Sequence, residues 1–312
     1  MSICHDIIFV TEWLHSCLTI NRPKGINMDS ARYEAIILTE RTGNLTETAQ
    51  LMGYTQSGIT RMIDTLEREL GFKILVRSNK GVALTENGKT MLPLFREIVL
   101  ACRNAEELAS DIRGVLRGNV TIGTYYSAAT IILPNAIKSF SEKYPGIKVD
   151  MMEGRGDELL RWMNERRVDM CICPHMKDSG FEWELLIKDR IMAWLPEDHE
   201  FKGKRFPLKR FENENVILTS PESGSEIDSL FAAEKLHINA SFTTKDEYTA
   251  YNLVEAGLGI GINQEMVGSR WKGKVRMVPV SPARYVEIGL IHPPKKEMSP
   301  AARRFAESIL SR

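Results

Sequence analysis

A surplus of charge of either sign is missing from this sequence: 41 Lys and Arg meet 41 Asp and Glu in 312 residues. That balance removes any whole-molecule electrostatic argument for nucleic acid or a membrane surface. Residues 28–118 carry twelve bases against twelve acids, so a basic footprint there has to be local, with its acids turned away from the partner. Cysteine is sparse. Cys4, Cys17, Cys102, Cys171 and Cys173 show no zinc-ligand spacing, and so few scattered thiols fit a reducing compartment better than a disulfide scaffold. Cys171-x-Cys173 lies in an alternating apolar run and reads as a buried strand before it reads as a redox pair. No apolar run has membrane length: the stretch 7–20 is interrupted by Glu12 and His15 and is too short to span a bilayer. It lacks a basic lead-in, which counts against a secretory signal. G-x-S-x-G, H-E-x-x-H, Walker A and G-x-G-x-x-G are absent, and Gly257, Gly259 and Gly261 follow a helix pattern instead of opening one, the wrong context for a dinucleotide. No catalytic residue, metal or cofactor is therefore expected.

What is present is an ordinary globular composition, 43% apolar and 26% charged, at a length that suits two or three domains. The most informative stretch is 44–85. Asn44 reads as the cap of a short helix, with Glu47 three positions on completing a capping box, and Gly53 as its stop. Thr55 caps a second helix, in which Ile59, Met62, Ile63, Leu66 and Leu70 recur at helical spacing and are expected inside. Its other face carries Gln56, Ser57, Thr60, Arg61 and Asp64. A short helix braced by its neighbour, with hydrogen-bonding groups near its outer N-terminal end, suits a major groove. Asn79-Lys80-Gly81 then reads as the turn of a hairpin, a wing that sets Arg77 and Lys80 against phosphate. Packed helices with a hairpin also occur in proteins that never touch DNA, so the pattern by itself leaves both readings open.

This stretch resembles the N-terminal domain of the LysR-type transcriptional regulators. The likeness rests on residues 44–49 of the first motif helix, on Thr55-Gln56-Ser57 opening the recognition helix, on Leu66-Glu67-Arg68-Glu69-Leu70-Gly71 closing it, and on Leu84-Thr85-Glu86-Asn87-Gly88 leading into a linker helix. It extends from about Met28 to the end of the chain. Gly58 departs from the alanine more usual in the family, at a cost of about 1 kcal/mol in a helix. Residues 1–27 fit no part of the pattern. They are expected to be an extension preceding a natural start at Met28, with a short accessory helix as the alternative.

From Thr85 a long helix is expected. Met91, Phe95, Ile98, Cys102, Ala105, Ala109, Ile112 and Leu116 alternate by four and three, the spacing of a paired coiled-coil seam, with Pro93 as an early kink or lost hydrogen bond. Arg117-Gly118-Asn119 reads as a hinge. Beyond it strands and helices alternate through residues 120–310, which implies parallel sheets with helices on their faces. Strands are expected at 181–187 and 190–195, among others. The landmarks Val120-Thr121-Ile122-Gly123, Leu133-Pro134, Tyr144-Pro145-Gly146 and Ala256-Gly257-Leu258-Gly259-Ile260 resemble the family's effector domain, which shares its fold with periplasmic binding proteins.

The expected architecture is α + α/β: an N-terminal winged helix-turn-helix over 28–85, a linker or dimerisation helix and hinge over 86–118, and a two-lobed α/β effector domain over 119–312. Its first lobe takes about 119–189 plus 285–312 and its second about 190–284. The resemblance implies a small-molecule effector in the cleft between lobes, contacted by Tyr125, Tyr126, Ser127, His175, Thr219, Ser220, Glu247 and Tyr248. These positions offer no basic anchor for a strongly anionic effector. It further implies double-stranded promoter DNA, a second copy of the chain (homodimer and homotetramer) and RNA polymerase as partners, in the cytoplasm, with no membrane. The alternatives are a small-molecule-binding protein with an N-terminal assembly module, and an enzyme with an unrecognised α/β active site.

Overall fold

The computed structural model describes residues 30–78, 81–114, 116–176, 179–219 and 226–311. The expected extension 1–27, Lys80 of the wing turn and Ser220 of the cleft lie outside them. The chain opens with α1 (Ala31–Thr42), α2 (Leu45–Met52) and α3 (Gln56–Leu70). The Asn44 side chain accepts from the N–H groups of Thr46 and Glu47 at 2.8 and 3.4 Å, and the Thr55 hydroxyl accepts from that of Gly58 at 3.1 Å. Both helix starts thus satisfy backbone donors that have no partner inside the helix. Gly53, with φ +70°, turns the chain between the two, a conformation that costs glycine little. Ile36, Leu45, Ala49, Ile59, Ile63, Leu66 and Ile74 close the core, with Met62 and Leu70 at its margin. The hairpin β1 (Leu75–Ser78) and β2 (Gly81–Leu84) pairs antiparallel, Arg77 opposite Val82.

Helix α4 (Glu86–Ile112) starts at the Thr85 cap and runs through Pro93 without ending. A methyl group at Gly88 would stand 2.3 Å from the Ile74 carbonyl oxygen, so only glycine lets the helix start press this close to the wing. The expected seam needs correction. Phe95 is 1% exposed, packed on the Tyr33 ring at 5.3 Å, and Met91 leans on the same core. Leu116 lies past the end of the helix. The side chains left exposed are Leu94, Ile98, Ala101, Leu108 and Ile112, with Ala105 half-buried among them. These positions keep the four-three alternation but turn it about one residue round the helix. The reason is tertiary: α1 covers the Phe95 side of α4, which periodicity alone does not distinguish from an open seam.

The rest is built on β3 (Gly118–Thr124), α5 (Leu133–Lys143), β4 (Ile147–Glu153), α6 (Gly156–Asn164), β5 (Met170–Pro174), β6 (Glu182–Pro196), β7 (Phe206–Pro207), β8 (Val216–Thr219), α7 (Glu226–Ala233), β9 (Ala240–Thr244), α8 (Glu247–Glu255), β10 (Ile260–Gln264), α9 (Glu265–Gly268), β11 (Val275–Ser281), β12 (Tyr285–His292) and α10 (Pro300–Leu310). The strands follow in space as β4-β3-β5-β12-β6-β10-β8-β9, with β11 also on β6 and β7 on β11. β3, β4 and β5 are parallel, as are β8, β9 and β10. Two α/β lobes result, joined through β6 and through the return of the chain in β12. The two strands expected at 181–187 and 190–195 are one. Its polar segment Lys188-Asp189-Arg190 marks where β6 leaves the β12 pairing for β10 and β11. Cys171 and Cys173 are buried in β5. Burial pushes both thiols up, Cys173 to about 12, as for small apolar groups packed inside a strand.

Candidate functional site

The recognition surface follows from how α3 divides its sides. Ile59, Ile63 and Leu66 face the core, and Gln56, Ser57, Thr60, Arg61, Asp64 and Arg68 line one shallow open concavity on the other side. Every residue expected on that helix is therefore on a single surface, except that the Thr55 hydroxyl is already engaged. It caps the helix and lies 3.1 Å from the Ser57 hydroxyl. Asp64 lies on the face expected for it, and Arg68 extends that surface beyond the expected residues. Gly58 has an ordinary helical backbone, and a methyl there would meet the Thr55 hydroxyl at 3.2 Å, so glycine leaves that cap undisturbed. Arg77 is exposed on β1.

What fixes the wing relative to α3 is Glu67, which sequence periodicity did not single out. Its buried carboxylate accepts from the N–H groups of Ile74 and Leu75 at 2.8 and 3.0 Å and from the Lys73 ammonium at 2.6 Å. Recognition helix and hairpin are thus tied by three charge-assisted bonds, the strong kind.

The second site lies where the lobes meet. After β3 the chain passes Tyr125, Tyr126 and Ser127 into a π-helical turn, Ala128–Ile132, the irregular helix that often marks functional positions. Ser127 is 0% exposed, and its hydroxyl faces that of Tyr125. Burial pushes the Tyr125 phenol well above its ordinary value. The Ser127 hydroxyl partly offsets this, and the charges of Asp189 and Glu226 add to it. From the second lobe, Thr219 at the end of β8 accepts from the buried Asn263 amide at 3.2 Å. Glu247 and Tyr248 open α8.

Several contacts among the described residues bridge the lobes. The Arg155 guanidinium donates to the Glu247 carboxylate at 3.1 Å and to the Lys245 carbonyl. Arg270 donates to the Thr130 carbonyl at 3.1 Å. The Tyr126 ring meets Trp271 at 6.1 Å, and Trp271 also touches Tyr248 at 5.3 Å and Tyr251 at 5.1 Å. The expected Tyr126, Glu247 and Tyr248 are thus drawn together across the seam. The His175 ring instead rests edge-on against Trp183 of the first lobe at 4.6 Å. Asp189, Asn263, Arg155 and Trp271 were not anticipated. The one signal available was polarity inside apolar strands, at Asp189 in β6 and at Asn263-Gln264 in β10.

With this geometry in view, residues 31–89 match the bacterial regulatory helix-turn-helix proteins of the LysR family, and residues 113–312 match the LysR substrate-binding domain. The chain belongs to the LysR family of transcriptional regulators. Like other LysR regulators it joins a DNA-binding helix-turn-helix to an effector-sensing domain, and the family is one of regulators, not enzymes. It is 27% identical to the HTH-type transcriptional regulator YvbU of Bacillus subtilis over 284 residues, 90% of this chain and 97% of that one. In fold it resembles a full-length OxyR variant from Pseudomonas aeruginosa, with a TM-score of 0.72 at 17% identity, covering 91% and 95% of the two chains. It also resembles full-length CbnR complexed with its target DNA, with a TM-score of 0.64 at 21% identity, covering 90% and 99%. Among the described residues no helix is long and apolar enough to cross a membrane.

Proposed function

We propose that this LysR regulator reads promoter DNA with α3 in the major groove. Gln56, Ser57, Thr60 and Arg61 face base edges there, and Arg77, with Lys80 beyond the described residues, faces phosphate. The reading divides the chain into a DNA-binding unit over 28–85, a linker over 86–118 and an effector unit over 119–312. Two copies pair along α4 through the stripe from Leu94 to Ile112, which fixes the separation of two recognition helices and hence of two half-sites. Higher assembly to a tetramer and contact with RNA polymerase extend this reading in the cytoplasm. A small molecule in the cleft, touching Ser127 and Tyr126, shifts the population of lobe arrangements by binding one of them better. The observation that carries the proposal is the polar, outward surface of α3 from Gln56 to Arg68, an arrangement of donors and acceptors with no role in the core.

The test is binding to the DNA upstream of the chain's own gene, measured against salt and against unrelated sequence. Arg61→Ala and Gln56→Ala are each expected to weaken specific binding by about 1–3 kcal/mol while leaving non-specific binding nearly intact. Equal affinity of both variants and the native protein for the specific site would remove α3 as the reading element.

A further inference from the structure

Asp64 places a negative charge on the one surface that has to approach phosphate. It sits within the concavity of α3, with Gln56, Ser57, Thr60 and Arg61 toward the helix start and Arg68 toward its end. Residues spaced by three and four stand one above another on a helix, so these side chains form a single ridge. At 1.5 Å per residue the ridge from Gln56 to Arg68 is about 18 Å long, with Asp64 roughly 12 Å from its start. The core does not call for this carboxylate, since the buried side of α3 is Ile59, Ile63 and Leu66. Asp64 is exposed. Arg61 and Arg68 stand three and four residues from it, at the spacing of helix-surface pairs. Among the described residues neither closes an ion pair with Asp64, and its carboxylate accepts no hydrogen bond. The Lys73 ammonium is already held by Glu67 at 2.6 Å.

An ionised carboxylate can only accept hydrogen bonds. Much of the major-groove edge also only accepts: guanine offers N7 and O6, and thymine O4. The donors are the exocyclic amines, N4 of cytosine and N6 of adenine, and adenine sets its N7 acceptor beside the amine. Facing guanine or thymine, Asp64 meets an acceptor with no proton between them. Facing cytosine, it meets a donor with no competing acceptor. We propose that Asp64 is a specificity-determining residue of α3, accepting from N4 of one cytosine in each half-site, on the strand that faces the third turn of the helix. It selects by rejection as much as by bonding, while Arg61 and Arg68 on either side supply the charge that draws the helix to DNA. The proposal rests on α3 being the reading helix, and it adds one base of the operator to that reading.

The experiment selects binding sites from a pool of random duplexes with the full chain, running the native protein beside Asp64→Asn, Asp64→Ala and Arg61→Ala. One position of the native half-site is expected to be cytosine. Changing it to thymine, which exchanges the amine for a carbonyl, should weaken native binding tenfold or more. In Asp64→Asn the same position should turn to adenine, whose N6 and N7 pair with the two ends of an amide. In Asp64→Ala that position alone should lose its preference while the others persist. Asp64 is exposed, so the melts of both variants should match that of the native protein. If Asp64→Ala binds every sequence more tightly and leaves every position of the site unchanged, the carboxylate is a surface charge and the proposal is overturned. It is equally overturned if Asp64→Asn keeps the native site. A selected site that Arg61→Ala also leaves unchanged, or a native chain that selects no site, removes the underlying reading of α3 and the proposal with it.

Discussion

Two buried carboxylates show how the same side-chain chemistry is put to opposite uses. Burial pushes Glu67 up, but the Lys73 ammonium and the N–H groups of Leu75 and Ile74 outweigh it and hold the carboxyl below its usual range. Such a group stabilises the fold fully above its unfolded titration, and that contribution is lost as pH falls through the folded one. Glu67→Gln is therefore expected to cost the N-terminal domain about 1–3 kcal/mol at neutral pH. The gap to the native protein should close below about pH 4, as read from melts across pH. Burial, with the like charge of Glu265, raises Asp189 to about 6 against the N–H groups of Met266, Arg190 and Glu265. The sign is reversed: its contribution is fully present below the unfolded value of about 4 and is lost as pH rises through about 6. Asp189→Asn should stabilise the effector domain at pH 8 by roughly 1–3 kcal/mol and change little near pH 4, a difference that melts at the two pH values resolve.

Helix α4 carries two populations of apolar residue that its sequence does not tell apart. Phe95 belongs to the N-terminal core, whereas Leu108 and Ile112, the latter 79% exposed, join no core cluster among the described residues. Phe95→Ala is expected to destabilise the N-terminal domain by about 3–5 kcal/mol. Leu108→Glu combined with Ile112→Glu should leave the melt nearly unchanged. In sedimentation it should convert a paired species to a single chain. Equal sedimentation of the double variant and the native protein would show that pairing uses another surface.

Across the whole chain, the opposite side of α4 fastens the linker to the effector domain. Arg96 reaches Glu40 at 3.3 Å and Glu165 at 3.7 Å, joining the N-terminal domain, the linker and the first lobe. One terminal guanidinium nitrogen of Arg304 donates to the Asp111 carboxylate, 2.9 and 3.0 Å from its two oxygens. Between them Glu107 is buried at the start of α10 and β3, accepting from the N–H groups of Ala301 and Asn119 at 3.4 and 3.3 Å. A methyl at Gly118 would stand 2.7 Å from the Glu107 carboxyl carbon and 2.9 Å from Ala301. Gly118→Ala is thus expected to cost about 1–3 kcal/mol by overpacking. Much of that cost should be recovered in Gly118→Ala with Glu107→Ala, the coupling a double-mutant cycle measures.

The sequence by itself determined what depends on local chemistry. The caps at Asn44 and Thr55, the turn at Gly53, the alternating pattern of the α/β half and the polar surface of α3 all follow from neighbours within a few residues, whose backbone needs are met locally. Tertiary structure alone decided which apolar residues of α4 were free, because α1, far away in sequence, claims Phe95. It also made one strand of β6, which pairs with β12 over its first part and with β10 and β11 over its second, partners far along the chain. The contacts across the lobes were likewise invisible beforehand: Tyr126 and Tyr248 could be named, but both meet Trp271 only once distant segments fold together.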